Sequence, residues 1–483
     1  MLIRHSLVYL LARGLPGLVN LAALALYSRL LTAEDFGMYS LVVAGVSMAS
    51  VICFQWQWLV LARWLPSRAG DSPRFLGEVL HVFAALAGVT ISIGILASLF
   101  WHDPAWQKLI AVAVPLLVAQ SWMELNLVLA SAQLAPRRYG LMLGLRTVTA
   151  ISVGAVLAWV GFGAFGPLMG LMVGFMVAVP VFGLAPWRNV RPRRPDWPDL
   201  RAQLHYGLPL IATFALSWVI ASSDRLLIAW LLSVEAAGQY AVGYDLAQQS
   251  LGALLAVAQV AAYPLLVRAL ENDGPDVAVL QMRKSAELIV TLACTGGAGL
   301  MVLSGPISIA VVGAQFQQAA GALVPWIALS TALMGIKTFH FDMAFHLGRN
   351  TRYLVGIGLA AAMINVALNV VLIPRFGLLG AAYATVAAYS VGTLISALLG
   401  RQVFTLPRFL PVVARAMVIA IVTAGAASIG PMINPGLPGL AVGISCGAAT
   451  SLALAFVIDL GGLRTDASRW WTSRLRTGAD GVQ

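Results

Sequence analysis

The chain has 483 residues, of which 60% are hydrophobic and only 10% are charged, and its formal net charge at pH 7 is +11. Its mean hydropathy is +0.87. A water-soluble fold has no place for so much apolar surface, so these values exclude a soluble protein and indicate that lipid is the solvent.

Fourteen segments of the chain have the length and apolar character of membrane spans. About 20 apolar residues cross a hydrocarbon core of roughly 30 Å. Because lipid offers the backbone no hydrogen-bond partner, each segment is predicted to be a helix, and the chain an all-α polytopic membrane protein. The predicted spans are approximately 8–31, 37–62, 77–101, 108–133, 140–160, 164–186, 206–232, 238–266, 285–312, 321–346, 353–373, 378–399, 411–430 and 439–459.

The positive charges are distributed asymmetrically across the predicted membrane. With the N-terminus inside, two of the 30 Lys and Arg residues lie outside (Lys108 and Arg375), six lie within spans, and the remaining 22 lie in inward loops and tails. This pattern follows the positive-inside rule and predicts that both termini are cytoplasmic. It accounts for the net charge without a nucleic-acid partner.

Two pairs of segments indicate an internal duplication. Residues 30–39 resemble residues 231–240, at an offset of 201, and residues 162–166 resemble residues 376–380, at an offset of 214. Six spans lie in each copy, and an even number gives both copies the same orientation in the membrane. The repeats are therefore predicted to be parallel, as in transporters whose site lies between two lobes.

The predicted organisation has two lobes, a linker and a C-terminal extension. It comprises an N-lobe with spans 1–6 (1–186), a basic cytoplasmic linker (187–205), a C-lobe with spans 7–12 (206–400), spans 13–14 (401–460) and a basic cytoplasmic tail (461–483). The arginine-rich linker is interpreted as a topology anchor beside anionic lipid.

Four segments carry recognisable motifs, and they are residues 28–39, residues 206–225, residues 235–240 and residues 369–382. These segments resemble the polysaccharide-type (Wzx-like) oligosaccharide flippases of the multidrug/oligosaccharidyl-lipid/polysaccharide exporter superfamily. The resemblance implies that the chain moves undecaprenyl-diphosphate-linked oligosaccharide, such as an exopolysaccharide, O-antigen or capsule repeat unit, to the outer leaflet of the bacterial inner membrane by alternating access. The implied partners are the lipid-linked oligosaccharide, membrane lipid, and polysaccharide polymerase or export machinery.

The glycines of these motifs are interpreted as packing and turn residues rather than as ligands. Glycine allows a chain to turn sharply and allows two helices to approach closely. The residues concerned are Gly37, Gly238, Gly377 and Gly380.

Six cations lie within predicted spans, where a charge costs about 2.5 to 3.5 kcal/mol at a helix centre. Arg415, near the inner end of its span, is expected to extend its side chain to the surface. The others form an inner tier of Arg13, Arg146 and Lys337 and an outer tier of Arg29 and Arg225. Two tiers fit the capture and release of a diphosphate head group, because guanidinium groups bind phosphate oxygens in pairs. Ion pairing between helices is the alternative.

Span 1 carries a polar stripe that is predicted to line a hydrated cavity. Arg13, Asn20 and Tyr27 recur every seven residues, so they share one face of the helix. A hydrated cavity accommodates such a stripe better than lipid does.

Four acids lie within predicted spans and have two alternative roles. They are Glu124, Asp224, Asp245 and Asp342. They bind a coupling proton or sodium ion, or they neutralise the arginines. A metal site near His340 is disfavoured, because His340 lies about 120° round the helix from His346. No metal or cofactor is predicted.

The sequence has no phosphate-binding loop and no nucleophile elbow, so an enzyme is not predicted. Four alternatives to an oligosaccharide flippase remain: a flippase for a peptidoglycan precursor, an exporter of cationic drugs, a membrane glycan polymerase and a non-transporting assembly protein. The predicted spans contain six cations and four acids, and this excess of positive charge argues against a cationic substrate. The absence of long loops argues against a glycosyltransferase-like enzyme.

Overall fold

The computed structural model describes residues 17–100, 104–434, 436–462 and 464, and every regular element in these ranges is a helix. Thirteen of the described helices are long and apolar enough to cross a membrane. The all-α polytopic fold predicted from the sequence is confirmed. The helices are α1 (Gly17–Leu30), α2 (Ala33–Trp64), α3 (Ser72–Phe100), α4 (Pro104–Ala132), α5 (Pro136–Trp159), α6 (Phe165–Phe182), α7 (Trp197–Leu231), α8 (Val234–Asp273), α9 (Pro275–Val302), α10 (Ser304–Val311), α11 (Ala314–Leu347), α12 (Arg352–Phe376), α13 (Leu378–Val403), α14 (Leu410–Ile433) and α15 (Leu437–Val457).

Most helix ends agree with the predicted spans, but α7 and α9 begin about nine or ten residues earlier than predicted, and one predicted span is divided. Helix α7 begins at Trp197 rather than near 206, so the second half of the predicted linker is helical. Pro198 in its first turn lacks the N–H that a helix start leaves unpaired, and Asp199 is favourable beside the positive end of the helix dipole. The predicted span 285–312 is divided at Leu303 into α9 and α10. The first half of predicted span 1 and most of the predicted tail lie outside the described residues.

The helices expose large apolar side chains, as expected of a protein whose solvent is lipid. On α3, Ile93, Leu96 and Leu99 are 62%, 53% and 67% exposed. A water-soluble monomer seldom exposes apolar residues in such contiguous patches. The lipid-facing surface and the buried cores are therefore both apolar.

The described residues form two compact units, one of which contains residues 26–241. Its core includes Phe54, Leu61 and Phe83. Trp187 joins this core, because its indole N–H donates to Asn126 Oδ1 at 2.8 Å and its ring lies 5.1 Å from that of Trp122. The rest of the described chain forms the second unit. These boundaries differ from those of the predicted lobes, and the two-lobe layout stays a prediction.

The basic linker is attached to the α2–α3 end of the first unit by both backbone and charge. The Arg193 N–H donates to the Gly77 carbonyl at 3.0 Å. Arg74 lies 3.2 Å from Asp196 and 3.5 Å from the buried carboxylate of Glu78. The linker is thus held by its acids as well as by its main chain.

The duplicated segments have matching roles in packing. A Cβ on Gly37 would lie 2.0 Å from the Val234 carbonyl oxygen, and a Cβ on Gly238 would lie 2.0 Å from the Ala33 carbonyl oxygen. The contact is reciprocal, so each copy of the motif packs through its glycine against the start of the other copy.

The second pair of duplicated segments shares a turn conformation. Gly163 has φ +53° and Gly377 has φ +58°, in the left-handed region that favours glycine. Gly380 also allows a close approach, since its Cβ would lie 2.2 Å from the Leu372 carbonyl oxygen. The interpretation of the motif glycines as turn and packing residues is confirmed.

Candidate functional site

The first unit places two predicted charges together within the membrane. Arg146 on α5 and Glu124 on α4 form a loose ion pair, with 3.8 Å between Nη1 and Oε1 and side chains that are 25% and 34% exposed. This distance is too long for a hydrogen bond. Among the described residues, the Arg146 guanidinium has no hydrogen bond, so its donors are available to a ligand.

Phe175 on α6 connects Arg146 with a large apolar cavity. The Arg146 Cζ lies 4.7 Å from the centroid of the Phe175 ring, a cation–π contact. The same ring lines a cavity of about 710 Å³ between α3, α4 and α6, together with Phe83, Ile95, Trp122 and other apolar residues. Pro115 of α4 and Pro180 of α6 also line it. Phe175 therefore contacts the Arg146 guanidinium and also lines the apolar cavity.

The second unit contains a tight ion pair that the helical periodicity of the sequence does not predict. The Lys337 Nζ lies 2.7 Å from Asp342 Oδ2, and the other Asp342 oxygen accepts a hydrogen bond of 2.7 Å from the Ser396 hydroxyl. Both members of the pair are largely buried, with 14% and 9% of their side chains exposed.

A π-helical turn in α11 creates this pair. Residues five apart lie about 140° apart round an α-helix. The segment Lys337–Phe341 is instead π-helical, and the Asp342 N–H donates to the Lys337 carbonyl at 2.8 Å. This i to i+5 bond stacks the two side chains on one face. No periodicity in the sequence signals such a turn, so the pairing was missed.

Polar residues of three helices also meet in the second unit. Another π-helical segment, Gln248–Gly252, lies in α8. Gln248 accepts a hydrogen bond of 2.9 Å from Thr331, and Gln249 accepts one of 3.5 Å from Asn20. Asn20 therefore joins a polar group formed by α1, α8 and α11.

Asn20 and Tyr27 of the predicted stripe on span 1 lie in the described helix α1. Tyr27 is only 5% exposed, and its hydroxyl donates to the Ala150 carbonyl at 3.3 Å. Gly154 leaves the space for this hydroxyl. Packing against α5 accounts for Tyr27, whose cavity role stays a prediction. Arg13 lies outside the described residues.

Four further predicted site residues lie on α1, α7 and α8. Asp224 is fully buried and accepts a hydrogen bond of 2.7 Å from the Tyr240 hydroxyl. Arg29 is exposed at the end of α1, whereas Arg225 and Asp245 are half-buried on α7 and α8. Arg146 pairs with Glu124, and Lys337 pairs with Asp342.

Comparison with known proteins shows the family and the fold of this chain. Residues 26–321 match the model of the family described as polysaccharide biosynthesis protein. No curated protein sequence matches the chain.

Three solved structures show the fold. The inward closed conformation of the lipid II flippase MurJ is similar with a TM-score of 0.75 and 13% identity, over 95% of this chain and 99% of that chain. An inward-facing multidrug resistance MATE family transporter of the MOP superfamily gives a TM-score of 0.61 and 14% identity, over 80% and 93% of the two chains. A MOP superfamily transporter from Pyrococcus furiosus gives 0.59 and 14%, over 82% and 94%.

Proposed function

This chain belongs to the polysaccharide biosynthesis protein family, and on that basis we propose that it is a flippase for a lipid-linked oligosaccharide. The substrate is an undecaprenyl-diphosphate-linked repeat unit of an exopolysaccharide, O-antigen or capsule. The protein moves this substrate from the inner to the outer leaflet of the bacterial cytoplasmic membrane by alternating access. The fold of a membrane transporter supports translocation rather than catalysis.

One observation within the chain carries the proposal. Arg146 has no hydrogen bond among the described residues, and it shares the Phe175 ring with a large apolar cavity. A diphosphate requires a cation with free donors inside a low-dielectric passage, and a polyprenyl chain requires apolar surface. Arg146 is therefore the cation that we assign to the diphosphate.

The other charges are assigned by how fully they are engaged. Lys337 is held by Asp342, which supports the ion-pair alternative for this cation. Asp342 and Asp224 are buried and hydrogen-bonded, whereas Glu124 is partly exposed beside Arg146. Of these three acids, Glu124 is the most accessible to an incoming ion.

A flippase for a peptidoglycan precursor is the second candidate. The specific observation in its favour is the similarity to the lipid II flippase over nearly the whole length of both chains. The lipid carrier chemistry is shared by the two candidates, and the glycan is what differs between them.

Deletion of the gene tests the proposal and separates the two candidates. We expect a lipid-linked oligosaccharide repeat unit to accumulate on the cytoplasmic side, because export is blocked while synthesis continues. Mass spectrometry of extracted lipids identifies the glycan, and re-expression of the intact gene should return it to the normal level. Accumulation of lipid-linked peptidoglycan precursor would favour the second candidate, and an unchanged lipid profile would contradict both.

The proposed topology has both termini in the cytoplasm and the linker on the same side. Single cysteines introduced at the exposed positions Gln107 and Gly436 are expected to react with an impermeant maleimide added to intact cells. A cysteine at Arg193 should react only after lysis. The control is a protein in which Cys53, Cys294 and Cys446 are replaced. Labelling of position 193 in intact cells would show that the predicted orientation or the predicted number of spans is wrong.

A further inference from the structure

Three arginines from different parts of the second unit converge on one pocket. A cavity of about 500 Å³ lies between the first turns of α9 and the segment that leads into α14. Its lining includes Arg283, Arg408 and Arg415, which we call the arginine pocket. Arg415 is the cation that the sequence indicated would only extend to the surface. Arg415 is exposed in the structure, and it lines the same pocket as Arg283 and Arg408.

The arginine pocket carries an excess of positive charge that the protein does not neutralise. Its acids are Asp276 and Glu287. Glu287 already has protein partners, because one oxygen lies 3.2 Å from Arg283 Nε and the other accepts the Gly461 N–H at 2.9 Å. Within the described ranges, Arg408 and Arg415 have neither a hydrogen bond nor an ion pair. Arg283 is paired with Glu287, so the exposed Arg408 and Arg415 are the cations of the pocket that remain for an external anion.

The pocket also has an apolar wall that borders the lipid-facing surface. Val279, Leu280 and Val412 line it beside the arginines. Leu280 is 55% exposed, and Leu410, at the start of α14, is 79% exposed. The pocket therefore lies at the ends of two membrane-spanning helices, where the hydrocarbon region meets the head groups. This apolar rim does not favour the binding of a free phosphate ion, whereas it can contact the acyl chains of a lipid.

We propose that the arginine pocket binds the phosphate group of an anionic phospholipid, with the acyl chains against Leu280 and Leu410. Guanidinium groups bind phosphate oxygens through paired hydrogen bonds. Basic pockets between transmembrane helices are typical sites for anionic head groups. The proposal does not depend on the transported substrate, and it gives Arg408 and Arg415 the partner that the described chain lacks.

Lipid binding to the purified full-length protein tests the assignment. Native mass spectrometry would compare cardiolipin and phosphatidylglycerol with phosphatidylcholine for the wild type, Arg408→Glu and Arg415→Glu. We expect anionic lipid to bind the wild type preferentially and each variant about tenfold more weakly, since each basic side chain near a membrane surface contributes to the attraction. Arg401→Glu is the matched control, because Arg401 is exposed at the end of α13 and does not line the pocket.

One further measurement and two further variants separate the possible results. Inorganic phosphate, added to lipid-free protein in detergent, should raise the unfolding temperature far less than phosphatidylglycerol does; equal effects would overturn the lipid in favour of a free anion. If a glutamate variant does not fold, Arg408→Gln and Arg415→Gln replace it. Wild-type affinity for anionic lipid in the pocket variants, or an equal loss in Arg401→Glu, would refute the site.

Discussion

Gly37→Ala is expected to destabilise the protein by about 2 to 3 kcal/mol, although it adds a single methyl group. The new Cβ would lie 2.0 Å from the Val234 carbonyl oxygen and 3.1 Å from the Gly238 nitrogen. Both obstacles are backbone atoms, so no side-chain rotation relieves the clash, and α2 and α8 must separate. Gly238→Ala should have the same effect, because its Cβ would meet the Ala33 carbonyl at the same distance.

Gly45→Ala is the control for this prediction. Gly45 lies on the same helix, α2, and a Cβ there has no neighbouring atom within 4 Å. Alanine favours a helix over glycine by about 1 kcal/mol, so this variant should be as stable as the wild type or more stable. Thermal unfolding of the purified proteins in detergent measures the difference. If Gly37→Ala and Gly45→Ala unfold at the same temperature, the close packing of the duplicated motifs is wrong.

The parts of the fold that lipid dictates were predictable from the sequence. A span needs a continuous apolar segment, so the predicted segments and the observed helices agree from α2 to α15 except at the start of α7 and in the predicted span 285–312. The roles of the motif glycines were also predictable, because a glycine that a turn or a close helix contact requires in one copy of a duplicated segment is required in the other copy. Gly37 and Gly238 pack reciprocally, and Gly163 and Gly377 share a left-handed turn.

The parts that depend on tertiary contacts were not predictable. Regular helical periodicity places Lys337 and Asp342 on different faces, and only the π-helical turn brings them together. The same periodicity placed Tyr27 with Asn20, but the contact with Ala150 buries its hydroxyl. Arg415 and Arg283 line one pocket because α14 packs beside α9, which no local pattern encodes.

Arg146→Ala is expected to reach the membrane at a near-normal level and to reduce glycan export by roughly tenfold to a hundredfold, since a hydrogen bond to a charged group contributes about 1.5 to 3 kcal/mol. The variant removes the cation that we assign to the diphosphate. Arg146→Lys should restore export in part, because it keeps the charge and loses the paired donors. Surface glycan and accumulated lipid-linked precursor measure export, and Arg137→Ala, at an exposed position of the same helix, is the control.

The double variant Arg146→Ala with Glu124→Gln distinguishes substrate binding from ion pairing. If Arg146 only neutralises Glu124, the single variant leaves an unpaired acid in the membrane, and removal of both charges should restore the protein. If Arg146 binds the diphosphate, export by the double variant should stay below that of Glu124→Gln alone, because the substrate still lacks its cation. The loose 3.8 Å pair and the contact of Arg146 with Phe175 favour the second result. Full export by the double variant would remove Arg146 from the substrate site.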